Sequence, residues 1–553
     1  MPPAPCYHRA ASRGSIRSAS PERYGERVKV LICDTLPEEA FGVFQEAGIE
    51  VVYKTGLSDD ELKKEIRSCE GVVVRSATTL TAEIIEAGES LRAICRAGVG
   101  IDNIDVDAAS NRGVIVMNAP AGNTRSTAEH TIALLLSLSR NIPQANSSMR
   151  DGQWDRKSFK GTQVAEKVLG IIGLGRVGCD VAKCAVGLDM KVIGFDPYLD
   201  KDRARELSIE LVGSPDDLYP QADYITVHTP MTPETKGMIG AREFDMMKNG
   251  VRILNCARGG IVDEGALFDA IESGKVAGAA LDVFVDEPPT DRRLIELPQV
   301  VSTPHLAAST EEAQMLVATQ ATAQLADALL DRGVRHAVNL PSLDLKEAER
   351  LRPYIALARN MGMFQIQLSP GRIRSVTLTY SGEIAKGDLT MVTSSYLAGL
   401  LAPMFDQPVN MVNAPLLAKS RNIALTEHKS EAATGFANLI RAEVETPDGT
   451  RSTHGTSFGH GNTRIVAIDK YHVEVVPEGN VVVIFDLDRP GLIGAIGQVL
   501  GSHGINIARM TFGRREAGGK AITALNVDSP VPTPVLKEIE QIDSVYTAHL
   551  ISL

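Results

Sequence analysis

The sequence predicts an α/β protein: a Rossmann-like domain inserted in a smaller parallel α/β domain, followed by an α+β module and a ferredoxin-like βαββαβ module. Three observations predict it. Apolar strand-like runs alternate with helical stretches from Val28 onward. The pattern Gly173-Leu174-Gly175-Arg176-Val177-Gly178 stands between an apolar run and a helical stretch. The last 75 or so residues read β-α-β-β-α-β.

Taken in order, residues 1–27 carry Arg9, Arg13 and Arg17, several serines and no acidic residue in the first 20, which fits a disordered extension or an organelle transit segment. The first strand is expected at Val28–Cys33, and Gly48–Tyr53, Gly71–Arg75, Leu91–Arg96 and Val114–Asn118 follow, with helical stretches such as Pro37–Ala47 and Asp59–Ser68 between them. Residues 28–125 with 310–340 are read as the smaller domain. The helix Thr124–Arg140, with Ile132, Leu134, Leu135, Leu136 and Leu138, leads into the Rossmann-like domain, 126–309. Its strands are expected at Val168–Ile172, Lys191–Phe195, Tyr224–Thr229, Arg252–Cys256, Gly278–Asp282 and Val300–Thr303, and the long helix Thr310–Asp331 returns the chain to the first domain.

After Asn339-Leu340-Pro341 the texture changes. Residues 341–478 show helices at Lys346–Leu368 and Leu389–Met404, strands at Arg372–Tyr380, Leu439–Glu445 and Arg464–Ile468, turns at Pro447-Asp448-Gly449 and His460-Gly461-Asn462, and no catalytic motif. Residues 479–553 supply strands Val481–Leu487, Ile505–Phe512, Ala521–Val527 and Val545–Leu553, with helices Pro490–His503 and Pro534–Gln541.

Composition narrows the function. With 44% hydrophobic and 23% charged residues, a chain of 553 residues is globular and multidomain. A formal net charge of -12 argues against nucleic acid as a partner and requires local arginines to draw in an anion. No apolar run approaches the roughly 20 residues of a membrane span. Seven cysteines without a CxxC pair suit a reducing, cytoplasmic setting and predict no metal site.

The chemistry follows from a few segments. Gly173, Gly175 and Gly178 let a backbone approach a pyrophosphate at a helix N-terminus, and Asp196, closing the next strand about 20 residues on, suits a ribose diol and repels an extra phosphate. The cofactor is therefore read as NAD rather than NADP. His305, after Thr303-Pro304 at a strand end, offers an imidazole that both takes and returns a proton, and Glu287, in Asp286-Glu287-Pro288, would fix its tautomer. Arg258, before Gly259-Gly260, can bind a carboxylate bidentately. The run Arg96-Ala97-Gly98-Val99-Gly100 could form a backbone nest for that carboxylate or simply end a strand. Asp282 reads as a cofactor contact or as a structural strand-end acid.

These motifs, taken together, resemble the D-isomer-specific 2-hydroxyacid dehydrogenases, in the long phosphoglycerate-oxidising form with an intervening domain and a C-terminal ACT domain, from about Val28 to Leu553. The resemblance implies NAD-dependent, reversible oxidation of 3-phospho-D-glycerate to 3-phosphooxypyruvate, the first step of the phosphorylated route to L-serine. It implies Arg258, Glu287 and His305 as active-site residues, and Arg176, Val177, Asp196, Thr229, Cys256, Ala257, Asp282 and Ala308 as cofactor contacts. It implies Arg75 and Arg96, beside Gly98, as phosphate and carboxylate ligands, and Arg156, in Trp154-Asp155-Arg156, as reaching a neighbouring subunit of a homodimer or homotetramer. Val99, also implied as a cofactor contact, stands where relatives often have threonine, and Ala308 where some have glycine. The ACT module implies an amino-acid effector, L-serine, near Asn506, or a purely oligomerising role. Alternatives are another D-2-hydroxyacid dehydrogenase of glyoxylate or hydroxypyruvate reductase type, and a non-catalytic NAD-sensing binding protein. Formate dehydrogenases share the architecture but carry glutamine where Glu287 stands.

Overall fold

The computed structural model describes residues 28–341, 345–369, 371–432, 435–459 and 461–553. The extension 1–27 and the expected turn residue His460 lie outside them.

The first domain is built on strands β1 (Lys29–Ile32), β2 (Glu50–Tyr53), β3 (Gly71–Val74), β4 (Ala93–Arg96) and β5 (Ile115–Asn118), all parallel in the order β2-β1-β3-β4-β5. A parallel sheet must be covered on both faces. Here Val317, Ala318, Ala321 and Leu325 of the helix Glu311–Leu329 cover one, against Val30, Val73 and Cys95. Leu62, Ile66, Ile84 and Ile85 cover the other, against Leu31, Val72 and Ile94. The helix expected over Pro37–Ala47 forms as a 3-10 turn, Glu38–Phe41, followed by a short α-helix, Gly42–Glu46.

The second sheet contains β6 (Val168–Ile172), β7 (Lys191–Phe195), β8 (Ile209–Leu211), β9 (Tyr224–Val227), β10 (Val251–Asn255), β11 (Val276–Leu281) and β12 (Val300–Ser302). They run parallel in the order β12-β11-β10-β9-β6-β7-β8. The order reverses between β6 and β9, which places a binding crevice outside their carboxyl ends. The helix Thr124–Arg140 covers one face through Leu134, Leu135 and Leu138, packed on Leu254, Ala280 and Val301.

The α+β module pairs the helix Leu345–Leu368 with Thr390–Leu401 so closely that a Cβ on Gly362 would sit 2.2 Å from Tyr396 O, and one on Gly399 1.9 Å from Arg359 O. Its six strands run Ala424–Ser430, Ser375–Gly382, Asn438–Thr446, Gly449–Ser457, Thr463–Ile468 and Tyr471–Val475 across the sheet. The last sheet runs Ile507–Arg514, Lys520–Val527, Asn480–Leu487 and Val545–Ser552, every pair antiparallel. Its own two helices, Leu492–Ser502 and Thr533–Glu540, cover one face. On the other, Val481, Val483, Ile522 and Ile551 share a core with Leu357, Met361 and Phe364 of the helix Leu345–Leu368. Among the described residues no helix is long and apolar enough to cross a membrane.

Candidate active site

The loop after β12 carries His305, held at φ +54° with its N–H donating to Asp282 O at 2.9 Å. Its Nδ1 lies 2.7 Å from Glu287 Oε2, and both side chains are about half exposed. Glu287 is set by the turn after β11: Phe284 N–H donates to its Oε1 at 3.1 Å, and Val285 N–H to Glu264 Oε1 at 2.7 Å. Burial raises the Glu264 carboxyl above its ordinary range. An ionised carboxylate only accepts, so Nδ1 carries the proton toward Glu287 and Nε2 is left as an acceptor on a half-exposed ring.

Beneath this pair Asp282 is fully buried. Its Oδ1 meets His130 Nε2 at 3.2 Å and accepts from Thr303 Oγ1 and from Leu306 N–H at 2.7 Å, and its Oδ2 accepts from Ala307 N–H at 2.9 Å. Burial alone would raise the carboxyl, but these donors outweigh it and hold Asp282 below the usual carboxylate range. The carboxylate thus anchors Leu306 and Ala307, while the Asp282 carbonyl holds His305.

Arg258 leaves the end of β10 and crosses to the first domain, where its Nε donates to Asp102 Oδ2 at 3.1 Å. Asn255 fastens the turn, donating to Arg258 O at 2.8 Å and accepting from Ala257 N–H at 3.0 Å. A Cβ on Gly259 would lie 1.9 Å from Phe284 O, so the absent side chain lets the Arg258 turn pack directly on the turn that carries Glu287. A Cβ on Gly100 would lie 2.1 Å from Arg258 Nη2 and 2.9 Å from Arg96 Nη1. Two guanidinium groups therefore converge on one glycine. Burial, then the neighbouring Arg258, lowers the Arg96 pKa from its ordinary value. Arg96 also donates to Gly100 O and, through Nε, to Arg75 O at 3.1 Å.

Asn118 Nδ2 donates to Val99 O, and Ala119 N–H to Gly98 O at 2.8 Å, which turns the peptide planes of this loop outward. Among the described residues the N–H groups of Val99 and Gly100 have no hydrogen-bond partner. These two N–H groups are open to an anion. Arg75 lies on the neighbouring turn after β3, while Arg156 is exposed in the segment after the helix Ile142–Arg150.

The glycine pattern divides its work. Gly173 has φ +92°, and its Cβ would lie 2.6 Å from His228 O. Gly178 has no room either, with Gly173 O at 2.1 Å. Gly175 caps the helix Arg176–Val186 and has open space where its Cβ would be. A phosphate could approach its backbone there. Asp196 closes β7 and accepts from Leu174 N–H and Tyr198 N–H, each at 2.8 Å, so it also braces this turn. Thr229 Oγ1 is buried with no hydrogen-bond partner among the described residues, an acceptor or donor that a bound dinucleotide would satisfy. Arg176 is exposed, Val177 packs its side chain into the core, and Ala257 and Ala308 are part-buried. Cys256 is buried, and desolvation pushes its thiol up to about 12. In the last domain Asn506 is exposed and donates to Asp528 Oδ2 at 2.7 Å.

Sequence reasoning did not find Asp102, His130, Glu264, Asn255 or Asn118. A signal existed for His130 alone, a polar residue among Thr127, Thr131, Leu134 and Leu138 on the buried stripe of its helix.

Three family models match the chain: the D-isomer specific 2-hydroxyacid dehydrogenase NAD binding domain over residues 132–307, the D-3-phosphoglycerate dehydrogenase intervening domain over 350–469, and the ACT domain over 481–544. A D-3-phosphoglycerate dehydrogenase of Methanocaldococcus jannaschii is 42% identical over 526 residues, 95% of this chain and 100% of that protein. That of Archaeoglobus fulgidus is 44% identical over 530 residues, with the same coverage. The chloroplastic D-3-phosphoglycerate dehydrogenase 2 of Arabidopsis thaliana is 36% identical, covering 94% of this chain and 85% of its own. Among solved structures, D-lactate dehydrogenase from Aquifex aeolicus complexed with NAD and lactic acid aligns with TM-score 0.50 and 28% identity over 57% of this chain and all of its own.

Proposed function

Because the chain belongs to the D-3-phosphoglycerate dehydrogenases of the D-isomer-specific 2-hydroxyacid dehydrogenase family, we propose that His305, Glu287 and Arg258 divide its chemistry among themselves. The protein is an NAD-dependent oxidoreductase that interconverts 3-phospho-D-glycerate and 3-phosphooxypyruvate. NAD, when bound, supplies the hydride acceptor for C2. His305 Nε2 takes the C2 hydroxyl proton, and Glu287, hydrogen-bonded at Nδ1, stabilises the imidazolium that results. Arg258 grips the α-carboxylate, whose other oxygen meets the N–H groups of Val99 and Gly100, and this fixes the C2 hydroxyl in front of the imidazole. In the reverse direction the same imidazolium returns the proton.

Gly173, Gly175, Arg176, Val177 and Gly178 would hold the pyrophosphate and Asp196 the adenosine ribose, with Thr229, Cys256, Ala257, Asp282 and Ala308 lining the nicotinamide end. Arg75 and Arg96 serve the phosphate and carboxylate ends of the substrate, and Arg156 reaches a neighbouring subunit of a homodimer or homotetramer. The ACT domain takes a small-molecule effector; L-serine near Asn506 is the effector proposed. The domain bounds proposed are 28–125 with 310–340, 126–309, 341–478 and 479–553. The reaction opens the phosphorylated route to L-serine, in a cytoplasm whose reducing character suits the odd number of cysteines.

The 2.7 Å contact between His305 Nδ1 and Glu287 Oε2 carries the residue assignment. NADH absorbance with 3-phosphoglycerate tests it. Turnover is expected in the parent, and His305→Ala and Arg258→Ala should each lose at least about 100-fold in kcat/KM. Parental rates in either variant would reject the assignment, and tight NADH binding without turnover in the parent would favour the non-catalytic reading.

A further inference from the structure

Two residues after β1 stands Asp34, a carboxylate only 5% exposed that has no salt-bridge partner among the described residues. Burying such a group costs free energy unless its lone pairs are satisfied. They are satisfied by one turn. Oδ2 accepts from the N–H of Arg75 and, at 3.3 Å, from the N–H of Thr78, and Oδ1 accepts from Thr78 Oγ1 at 2.6 Å.

The opposite side of the same turn is held as well. Asn103 Nδ2 donates to the carbonyls of Arg75 and Thr78, at 2.7 and 2.6 Å, and Arg96 Nε donates to Arg75 O at 3.1 Å. Both peptide groups at each end of the turn are thus fixed by side chains. The two inner N–H groups, of Ser76 and Ala77, have no hydrogen-bond partner among the described residues, and both residues are exposed. The Arg75 guanidinium makes a single hydrogen bond, to Thr35 O at 3.2 Å.

We propose that Asp34 is a specificity-determining positioning residue, which holds the Arg75–Thr78 turn so that the Arg75 guanidinium and the N–H groups of Ser76 and Ala77 converge on the phosphate end of the substrate. The proposal rests on the reading of Arg75 as a phosphate ligand. Buried behind the turn, Asp34 does not touch the substrate and acts only through the backbone it grips. Its chemistry explains its identity: one oxygen accepts from two N–H groups and the other from the Thr78 hydroxyl, whereas an asparagine would set an NH2 group against that hydroxyl, force it to reverse and accept, and weaken every bond that a carboxylate makes charge-assisted. A dianionic phosphate gains from donors fixed in advance because their ordering is not repeated at each binding event.

The test compares reduction of phosphooxypyruvate and of hydroxypyruvate by NADH in the parent, Asp34→Asn, Thr78→Val and Arg75→Ala, with NADH affinity and thermal midpoint measured alongside. Asp34→Asn and Thr78→Val are expected to raise KM for phosphooxypyruvate about tenfold at unchanged kcat. The kcat/KM for hydroxypyruvate and the NADH affinity should stay within about twofold of the parent. Losses that fall equally on both substrates overturn the proposal and leave Asp34 a structural acid. Should Asp34→Asn fail to fold, Thr78→Val, which removes one donor and no charge, decides alone. If Arg75→Ala abolishes the preference for the phosphorylated substrate while Asp34→Asn and Thr78→Val keep it, the proposal alone is wrong. If Arg75→Ala keeps that preference, the reading beneath it is wrong too.

Discussion

The Glu287···His305 pair and the Asp282···His130 pair stand on the same wall of the cleft and are made of the same groups, at 2.7 and 3.2 Å. In the first the side chains are 40% and 48% exposed, in the second 0% and 20%. The buried Asp282 carboxylate also accepts from the N–H groups of Leu306 and Ala307, so its pairing holds that loop in place. His305 engages Glu287 through Nδ1, and its Nε2 has no hydrogen-bond partner among the described residues, on a half-exposed side chain. A third pair shows that exposure is not sufficient. His503 Nε2 meets Glu538 Oε2 at 2.8 Å on the surface of the last domain, joining the ends of its two helices. A carboxylate paired with an imidazole thus stands in three settings here, buried under a loop, half-exposed at a strand end, and on the surface between two helices.

The largest expected effect breaks the architectural pair. Asp282→Ala leaves His130 and the N–H groups of Leu306 and Ala307 without their acceptor, and should cost about 3–5 kcal/mol in urea denaturation, with activity falling as the His305 loop loosens. A variant as stable as the parent would erase the distinction between the pairs.

His228 extends the comparison to an imidazole with no acid beside it. Its Nε2 meets Thr226 Oγ1 at 3.0 Å, and desolvation lowers its pKa from 6.5 to about 4. Because the folded state binds this proton less readily than the unfolded chain, the associated stability is complete above about pH 6.5 and is lost as pH falls towards 4, by on the order of 3 kcal/mol. Denaturation midpoints from pH 7 to 4 should fall less steeply in His228→Gln; an identical slope would show that this imidazole does not govern the window.

Glu287→Gln should lower kcat about 100-fold, because a neutral amide stabilises the imidazolium poorly, with the denaturation midpoint unchanged. A loss of stability comparable with that of Asp282→Ala would make both pairs structural. The smallest effect belongs to the surface pair: His503→Ala should change stability by less than about 1 kcal/mol and leave kcat/KM unaltered. A measurable loss of turnover would mean that the last domain reaches the catalytic centre through this contact.

Much of the fold was legible because its signals are local. The helix Thr124–Arg140 forms over the residues its apolar spacing indicates, and β6, β7 and the glycine turn between β6 and its helix fall where the pattern sets them. Three strands in the α+β module escaped notice for opposite reasons. Ala424–Ser430 is exposed throughout, so no apolar alternation marks it, and Gly449–Ser457 is almost wholly polar and exists because it pairs with Asn438–Thr446 along its length. Tyr471–Val475 is a short strand tied to Thr463–Ile468. In the site, Arg258, Glu287 and His305 were legible as residue types at strand ends, but Asp102 carried no signal and acquires its role by meeting an arginine from the other domain.

The sequence by itself determined the amphipathic helices and apolar strands, the faces they bury, and where a backbone can approach a phosphate, because periodicity and glycine placement act over a few residues. Only the tertiary structure decided that Asp282 would be buried beneath a loop and Glu287 paired with a half-exposed His305, that two guanidinium groups would meet over Gly100, and that the last sheet would share its core with the helix Leu345–Leu368. Those outcomes depend on sheet order and on how far each loop reaches beyond its strand, and they join residues whose separation along the chain leaves no local pattern to read.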